Sequence, residues 1–201
     1  LKTAQADEQL MWKFFNAGKN IIISGKAGSG KSHLLQRFVR TAIDKGINHA
    51  LCAPTGIAAF NIGGETLHRG LGLGLAQDEP RQLFERIKKD KFRFKKTWKF
   101  LLSTKLLIID EISMVHPEFF IKLEYLFRNA RRKAESFGGV KLIMVGDFTQ
   151  LGPVMKNRKD GDPRSILDTD TWQSMDKVRL KLMRSYRQDE SDNFLKILNE
   201  V

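Results

Sequence analysis

Hydrophobic and polar positions alternate in blocks along this chain of 201 residues, and the blocks predict strands that alternate with helices. Short, wholly apolar runs are typical of strands inside a parallel sheet, whereas apolar residues every three or four positions indicate amphipathic helices. The predicted strands are NIIIS, HALCAP, KLLIID, VKLIMVGD and KVRLKLM. The predicted helices are ADEQLMWKFFNAG, KSHLLQRFVRTAIDKG and PEFFIKLEYLFRNARRKAES. This alternation predicts an α/β fold with right-handed crossovers, a mostly parallel sheet flanked by helices.

Two segments interrupt this rhythm between the second and third predicted strands. NIGGETLHRGLGLGLAQ is rich in glycine and has no clear period, and RQLFERIKKDKFRFKKTWKFLL is helical in part and dense in lysine and arginine. We interpret residues 64–104 as a small basic insertion.

The insertion allows two interpretations, which the sequence leaves open. Phe92, Phe94 and Trp98 are interleaved with basic residues and could form a surface on which DNA bases stack. The same segment could instead be an amphipathic helix that docks its aromatic side chains on the core and exposes its lysines.

Composition adds a partner class to this picture. The net charge is +12, which favours a polyanionic partner, with nucleic acid first and a membrane surface second. Cys52 is the single cysteine, so no internal disulfide can form; it fits a reducing, intracellular compartment and a small buried hydrophobic side chain. The four histidines lack zinc-ligand spacing, no apolar run approaches the ~20 residues of a membrane span, and no signal peptide is visible.

The segment GKAGSGKS, Gly25 to Ser32, fits the pattern G-x-x-x-x-G-K-[ST] between a predicted strand and a predicted helix. Glycines let such a loop point several N–H groups at phosphate oxygens, and the following helix adds its positive dipole end. Lys31 can reach the β- and γ-phosphates, and the Ser32 hydroxyl can bind Mg²⁺. The predicted nucleotide-binding residues of this loop are Gly25, Ala27, Gly28, Ser29, Gly30, Lys31 and Ser32, whereas Lys26 is expected to be solvated.

A carboxylate pair follows the third predicted strand. Asp110 ends the apolar run LLIID, on what we expect to be a strand neighbouring the phosphate loop, and Glu111 follows it. Asp110 is predicted to hold Mg²⁺ together with Ser32, and Glu111 is predicted to lie at the metal and polarise the attacking water as general base.

Further polar candidates lie after the fourth and fifth predicted strands. Gln150, in GDFTQLGPV, would lie beside Asp110 across the sheet and could contact the γ-phosphate or the water. Asp147 could equally hold the loop or touch the ligand. Arg184 and Arg187, in MRSYRQ, are surface arginines unless one is aimed at the γ-phosphate, where it would stabilise transition-state charge.

The sequence indicates the nucleobase of the ligand less clearly than its phosphates. No asparagine–lysine–x–aspartate guanine-binding sequence is present, which disfavours a GTPase. Gln9, on the first predicted helix, is a possible adenine partner because its amide can donate and accept at once. ATP with Mg²⁺ is therefore the predicted cofactor.

Several segments together resemble a known family. EQLMWKFFNAGKNIIISGKAGSGKS, APTGIAAFNIGGETLHRGLGLGL, LLIIDEISMV, VGDFTQLGPV and RSYRQ resemble, in order and spacing, the first motor domain of superfamily 1B helicases. The Pif (petite integration frequency) family is the nearest match, with RecD-like enzymes next. FFIKLEYLFRNARRKAESFGGVKLIMVGDF is similar to the Pif signature of a leucine, spaced arginines and Phe-Gly-Gly.

The resemblance implies a RecA-like P-loop NTPase domain and ATP-driven unwinding of DNA, moving 5′ to 3′ on a single strand. It implies these roles: Gln9 at the adenine, Lys31 and Ser32 at the phosphates and Mg²⁺, Asp110 at the metal, Glu111 as base, Gln150 at the γ-phosphate and Arg187 as arginine finger.

PTGIAAFNIGGETLH is similar to the family segments that grip single-stranded DNA. The resemblance implies that Pro54, Thr55 and Gly56 meet the DNA backbone, with Thr66 and His68 close by. Small residues and exposed N–H groups permit a close approach to phosphate, and an imidazole can stack or donate.

Four positions depart from the family pattern. Ser136 stands where a proline usually precedes Phe-Gly-Gly, and Gly152 stands in the usual Pro-Pro-Val. Ser29 replaces a common threonine, and Arg69 replaces a usual serine. These changes leave the predicted chemistry intact and bear on the branch of the family.

Superfamily 1 motors bind ATP between two RecA-like domains, so residues 1–201 are expected to be the first, N-terminal half of a motor. We expect this half alone to bind ATP weakly, to hydrolyse it poorly and not to unwind DNA. The expected partners are single-stranded and forked DNA, without a membrane, for a monomeric motor. Two alternatives are a nucleotide-gated clamp on nucleic acid without translocation and an ATP-dependent kinase or switch ATPase with incidental basic charge.

Overall fold

A computed structural model describes residues 2–26, 28–73, 78–148, 162–182 and 195–198, with the side chains of 2–4 and 195–198 left aside. The strands are β1 Asn20–Ser24, β2 His49–Ala53, β3 Glu65–Thr66, β4 Leu106–Ile109, β5 Lys141–Gly146, β6 Lys177–Leu182 and β7 Leu195–Leu198. The α-helices are α1 Lys2–Asn16, α2 Lys31–Asp44, α3 Gly56–Ile62, α4 Leu67–Leu71, α5 Pro80–Lys89, α6 Lys95–Ser103, α7 Pro117–Arg131 and α8 Asp170–Gln173. Short 3₁₀ turns cover Ile112–Met114, Ser136–Gly139 and Ile166–Asp168.

The described strands form one sheet in the order β3-β2-β4-β5-β1-β6-β7. Strands β1 to β6 pair in parallel, and β7 is antiparallel to β6. The predicted α/β class with a mostly parallel sheet is confirmed. All carboxyl ends of the parallel strands therefore meet at one edge, called the carboxyl edge below, where ligands of open α/β sheets bind.

The sheet order corrects one expectation about the site. Asp110 follows β4, and β4 pairs with β2 and β5, not with β1. The strand β5 thus lies between the phosphate-loop strand and the carboxylate strand, so their ends are about 10 Å apart across the sheet. The prediction that Gln150 follows the strand next to Asp110 fits this order, although Gln150 itself lies outside the described residues.

Each of the five predicted strands is present, but several elements are absent from the prediction, among them β3, β7 and the short helices α3, α4 and α8. The strand β3 has two residues, which is too short for a visible alternation of side chains. The helix α3 begins at Gly56, between the predicted strand HALCAP and the irregular segment that starts at Asn61, and β7 lies in a stretch for which no element was predicted. The third predicted helix was expected to reach Ser136, but α7 ends where Arg132 takes a left-handed conformation with φ of 54°.

The core lies on both faces of the sheet. On one face α1 and α2 cover β1, with Phe38 stacked on Trp12 at 4.2 Å between ring centroids. On the other face α4 to α7 cover β2 and β4 around Phe120 and Phe127. Cys52 is buried there, which confirms the predicted small buried hydrophobic side chain, and burial raises the pKa of its thiol to about 12. No helix in the described part of the chain is long and apolar enough to cross a bilayer.

The aromatic side chains of the basic insertion divide between the two interpretations. Phe94 and Trp98 pack against the core, and the Trp98 indole N–H donates to the Ile87 carbonyl at 3.1 Å. Phe92, in the turn between α5 and α6, is 93 % exposed. Docking on the core therefore describes Phe94 and Trp98, and Phe92 is the ring left in solvent.

Arg131 connects three elements on the helix-covered face. Its guanidinium donates to four carbonyl oxygens: those of Leu101 at 3.2 Å, Leu102 at 3.0 Å, Thr104 at 3.1 Å and Gly138 at 2.9 Å. Gly138 has φ of 59°, and a Cβ there would lie 2.7 Å from the Phe127 carbonyl oxygen, so only glycine fits without a shift. The arginine and Phe-Gly-Gly of the family signature thus tie the end of α6 and of α7 to the start of β5.

Arg131→Ala should lower the free energy of unfolding by about 2–4 kcal/mol, because four carbonyl oxygens lose a charged donor. Urea denaturation followed by far-UV circular dichroism measures this. The matched control is Arg128→Ala, which removes a single partly exposed pair within α7, with Glu124 at 2.9 Å, and should cost about 1 kcal/mol or less. Equal losses in the two variants would contradict the connecting role of Arg131.

Candidate functional site

The phosphate loop begins where the apolar strand β1 leaves the centre of the sheet. Ile21, Ile22 and Ile23 are fully buried, and β1 pairs along its length with β5 and β6. A Cβ on Gly25 would lie 2.6 Å from Ser29 Oγ and 3.1 Å from the Leu182 carbonyl oxygen, so the loop can pass β6 only with glycine there. Packing thus fixes where the loop starts.

The loop then turns into α2 through two left-handed glycines. Gly28 has φ of 76° and Gly30 has φ of 89°, conformations that side chains with a Cβ rarely adopt. Gly30 is the N-cap of α2, which begins at Lys31. The orphan N–H groups of the first turn of α2 therefore face the space that the loop encloses.

Lys31 folds its side chain back over the loop. Its Nζ donates to the carbonyl oxygens of Gly25 at 2.6 Å and Lys26 at 3.0 Å. The side chain of Lys26 is exposed, as predicted. The Lys31 ammonium thus lies at the mouth of the loop on two weak neutral acceptors, which phosphate oxygens could replace with stronger charge-assisted hydrogen bonds.

Two serines of the loop differ in their surroundings. Ser29 Oγ is buried and has no hydrogen-bond partner within the described residues. Ser32 is exposed on the first turn of α2. The predicted metal-binding hydroxyl is therefore accessible, and the Ser29 hydroxyl lacks the partner that a buried polar group requires.

Asp110 and Glu111 differ in burial and conformation. Asp110 is 9 % exposed, its Oδ1 accepts from the Glu111 N–H at 2.9 Å, and its own N–H donates to the Cys52 carbonyl at 2.9 Å. Burial raises the pKa of Asp110, while the hydrogen bond from the Glu111 N–H and the charge of the Lys31 ammonium act to lower it. Glu111 is exposed and left-handed, with φ of 53° and ψ of 39°.

The turn after Asp110 brings the carboxylates toward the phosphate loop across β5. Gly146 ends β5, and a Cβ on it would lie 3.1 Å from Ile112 Cγ2 and 3.5 Å from the Ile112 and Ser113 N atoms. The 3₁₀ turn Ile112–Met114 therefore lies against the end of the intervening strand. Across that strand, the Lys31 ammonium acts to lower the pKa of Asp110, against the larger effect of burial, which raises it.

The two segments predicted to grip DNA meet at the end of β2 and β3. Ala53 pairs with Thr66, so Thr55 and Gly56 lie next to the start of α4. Thr55 Oγ1 accepts from the Ala58 N–H at 3.2 Å, and Thr66 Oγ1 accepts from the Arg69 N–H at 3.2 Å, which caps α3 and α4. Each hydroxyl keeps its own proton available for an acceptor such as a phosphate oxygen.

Pro54 is half-buried at the end of β2, and Gly56 is exposed with open space where a Cβ would be. His68 is half-buried on α4 and stacks on Phe119 with centroids 4.2 Å apart. Burial lowers the pKa of His68, so its imidazole is neutral at pH 7 and one ring face is already covered. His68 can therefore act as a neutral donor rather than as a cation.

The adenine candidate Gln9 is exposed on α1. Its neighbour Glu8 holds α1 on α2, since it accepts hydrogen bonds from Arg37 Nε at 3.1 Å and from the Thr41 hydroxyl. Gln9 is thus carried by a helix that is fixed to the helix of the phosphate loop, and its role at the adenine stays a prediction.

Four predicted residues lie outside the described part of the chain: Ala27, Gln150, Arg184 and Arg187. Asp147 is described, is half-buried directly after β5, and has interacting neighbours. It therefore lies on the strand end between Asp110 and the phosphate loop.

The carboxyl edge thus carries the predicted site residues in a defined order. From one side to the other it has Thr66 at the end of β3, Thr55 after β2, Asp110 after β4, Asp147 after β5 and the phosphate loop after β1. The hydroxyl of Ser32, the carboxylate of Asp110 and the cation Lys31 are the donor types that a nucleotide with Mg²⁺ requires, so the residues fit that pair of ligands.

Two contributing residues were missed at the sequence level. Phe119 supports His68 from α7, and Ser113 Oγ is buried beside the carboxylates without a partner in the described chain. Phe119 lies two residues after Pro117, at the start of a helix that follows the carboxylate strand. That position could have indicated a ring near the carboxyl edge, but its pairing with His68 is a tertiary contact.

Comparison with known proteins places the chain in a family. The model of the PIF1-like helicase family matches residues 7–201. ATP-dependent DNA helicase PIF1 of Homo sapiens is 37 % identical over 184 residues, which are 92 % of this chain and 27 % of that protein. The Saccharomyces cerevisiae PIF1 is 33 % identical over 97 % of this chain and 22 % of its own length. The chain therefore spans about a quarter of the curated relatives that it matches.

Solved structures agree with the sequence comparison. The crystal structure of Pif1 helicase from Candida albicans has a TM-score of 0.78 and 35 % identity, over 90 % of this chain and 40 % of that one. Bacteroides Pif1 in complex with ADP-AlF3 and ssDNA has a TM-score of 0.75 and 34 % identity, over 92 % of this chain and 43 % of that one.

The chain has the phosphate loop after β1, the Phe-Gly-Gly segment bound by Arg131 and the ordered carboxyl edge. It is a member of the PIF1-like helicase family.

Proposed function

We propose that this chain is the N-terminal RecA-like motor domain of an ATP-dependent DNA helicase that moves 5′ to 3′ along single-stranded DNA. The observation that carries the proposal is the order of the carboxyl edge, where the predicted DNA-gripping segment, the carboxylates, Asp147 and the phosphate loop follow one another along β3-β2-β4-β5-β1. A bound phosphate and a bound DNA backbone would lie on the same rigid sheet.

In this proposal the phosphate loop holds ATP. The N–H groups after Gly28 and Gly30 surround the phosphates, and Lys31 exchanges the Gly25 and Lys26 carbonyls for β- and γ-phosphate oxygens. Gln9 recognises the adenine. Gln150 and Arg187 act at the γ-phosphate, Arg187 as an arginine finger.

Ser32 and Asp110 hold Mg²⁺, which when bound neutralises charge on the phosphates. Glu111, exposed on its left-handed backbone, accepts the proton of the attacking water. Because the turn after Asp110 lies against the end of β5, a displacement of the carboxylates on hydrolysis is transmitted to the neighbouring strand ends.

DNA contacts lie on the other side of the carboxylates. The hydroxyls of Thr55 and Thr66, which cap α3 and α4, donate to phosphate oxygens, and Pro54 and Gly56 allow the backbone to approach. His68 donates from its supported ring. A second RecA-like domain of the full-length protein completes the ATP site.

The partners are single-stranded and forked DNA, bound by a monomeric motor in an intracellular compartment. The crystal structures of Bacteroides Pif1 bound to ssDNA and in complex with ADP-AlF4 support the proposal that this chain binds single-stranded DNA and an adenine nucleotide. A clamp without translocation predicts DNA binding without stimulated turnover, and a kinase or switch ATPase predicts turnover indifferent to DNA.

Lys31→Ala should lower DNA-stimulated ATP turnover of the full-length protein by about 100-fold or more, since the cation that meets the phosphates is lost. Glu111→Gln should retain nucleotide binding and lose turnover to a similar extent. The matched control is Lys26→Ala in the same loop, whose exposed side chain should leave turnover within about twofold. Undiminished turnover in Lys31→Ala, or an equal loss in Lys26→Ala, would contradict these roles.

Thr55→Val should weaken binding of single-stranded DNA by roughly 10-fold or more, because a hydrogen bond to a charged phosphate is lost. Thr55→Ser keeps the hydroxyl and should bind normally in fluorescence anisotropy. Thr169→Val serves as the control for capping alone, because the Thr169 hydroxyl caps α8 from a buried position. A DNA-binding loss in Thr169→Val as large as in Thr55→Val would mean that the effect is general destabilisation.

The direction of movement is tested on forked and single-tailed duplexes with the full-length protein. We expect unwinding with a 5′ single-stranded tail and little with a 3′ tail, and we expect DNA strands to accelerate ATP turnover. Residues 1–201 alone should bind the strand but not separate the duplex. Unwinding from a 3′ tail alone would overturn the proposed direction, and turnover indifferent to DNA would favour the switch ATPase.

A further inference from the structure

The surface formed by α5, α6 and the end of α7 concentrates the positive charge of the chain. Residues 81–99 carry nine basic and two acidic side chains, a net +7 of the total +12. A groove of about 510 Å³ lies within this surface. The basic groove, as we call it, is lined by Phe84, Lys88, Lys91, Lys95, Trp98 and Arg132, among others.

The cations of the groove are available to a ligand. Lys88, Lys91, Lys95 and Arg132 are exposed. Lys88 has a distant exposed pair with Glu85 at 3.9 Å, and no carboxylate of the described residues lies within ion-pair distance of the other three. Four cations without strong partners around one groove favour an anion that repeats along its length.

The groove is far from the site already described. The helix α7 begins beyond the carboxyl end of β4 and runs 15 residues, or about 22 Å, before Arg132 follows it. α6 ends at Ser103, just before β4 begins. The groove therefore lies toward the opposite edge of the sheet from Thr55 and the phosphate loop, and needs a separate stretch of polyanion.

The groove presents cations rather than ring faces. Within the groove Lys91 lies over the Trp98 ring at 5.3 Å, and beside the groove Arg86 and Arg93 lie over Phe94 at 5.9 and 5.6 Å. Single-stranded nucleic acids bind proteins largely by stacking bases on open aromatic faces, which these cations cover. A duplex keeps its bases stacked inside and offers phosphates outside, which matches a surface of cations.

We propose that the basic groove binds the phosphate backbone of double-stranded DNA, as a second DNA site separate from the single-strand site at the carboxyl edge. The inference rests on the proposed function for the identity of the nucleic acid. In this proposal α5 and α6 bind the duplex while the carboxyl edge binds the single strand.

The test compares two charge-matched triple variants of the full-length protein. Lys88→Gln/Lys91→Gln/Lys95→Gln removes the groove cations, and Lys13→Gln/Lys19→Gln/Lys45→Gln removes three charges from the α1 and α2 side. Affinity for blunt duplex DNA and for a short single strand is measured by anisotropy over a range of salt. Thermal unfolding checks that both variants are folded.

The groove variant should lose duplex affinity about tenfold or more, and its slope of log K against log salt should fall by about 2 to 3, since three phosphate contacts are lost. Its affinity for the short single strand and its strand-stimulated ATP turnover should stay within about twofold. Normal duplex binding by the groove variant, or an equal loss in the control variant, would overturn the proposal. If the unmutated protein itself shows no DNA-stimulated ATP turnover, the proposed helicase function is wrong. The groove proposal is then decided by the duplex affinities of the two triple variants.

A variant at Phe92 distinguishes duplex binding from single-strand binding at the same surface. Phe92→Ala removes the exposed ring without removing charge, and should leave duplex affinity unchanged. A loss of single-strand affinity in Phe92→Ala with normal duplex binding in the groove triple variant would show a stacking surface and overturn the duplex assignment.

Discussion

The structure depends on the burial of β1 between β5 and β6. Three isoleucines without solvent contact fix this strand in the middle of the sheet, and the phosphate loop has to start where the strand ends. Gly25 then has no room for a side chain against Ser29 and Leu182, so the loop leaves the sheet along one path. Hydrophobic burial thus sets the position of the loop, and the glycines set its shape.

A second constraint links the carboxylates to that loop. Because β5 lies between β4 and β1, Asp110 can face Lys31 only if the turn after it approaches the end of β5 closely. Gly146 permits that approach, and Ile112 fills the space beside it. The same strand ends continue into Thr55 and Thr66, so the proposed nucleotide and DNA contacts would share one sheet. The proposed chemical and mechanical roles therefore lie along a single edge.

The local elements were predictable from sequence, whereas their arrangement was not. NIIIS and LLII are apolar runs with clear ends, and the loop after NIIIS carries its own glycine and lysine pattern. The order of strands depends on pairings between distant segments, which explains why Asp110 was expected on the adjacent strand. A two-residue strand such as β3, and the contact of Phe119 with His68, also arise only when the chain folds. The predicted roles of Gln150 and Arg187 remain predictions.

The left-handed backbone conformation of Glu111 costs conformational free energy. A glutamate with φ of 53° is strained relative to glycine or asparagine at the same position. Replacement by either would relax the chain while removing the proposed general base, so selection for thermal stability alone would act against the proposed chemistry at this residue. Evolution of this domain toward greater heat tolerance would have to proceed through other positions.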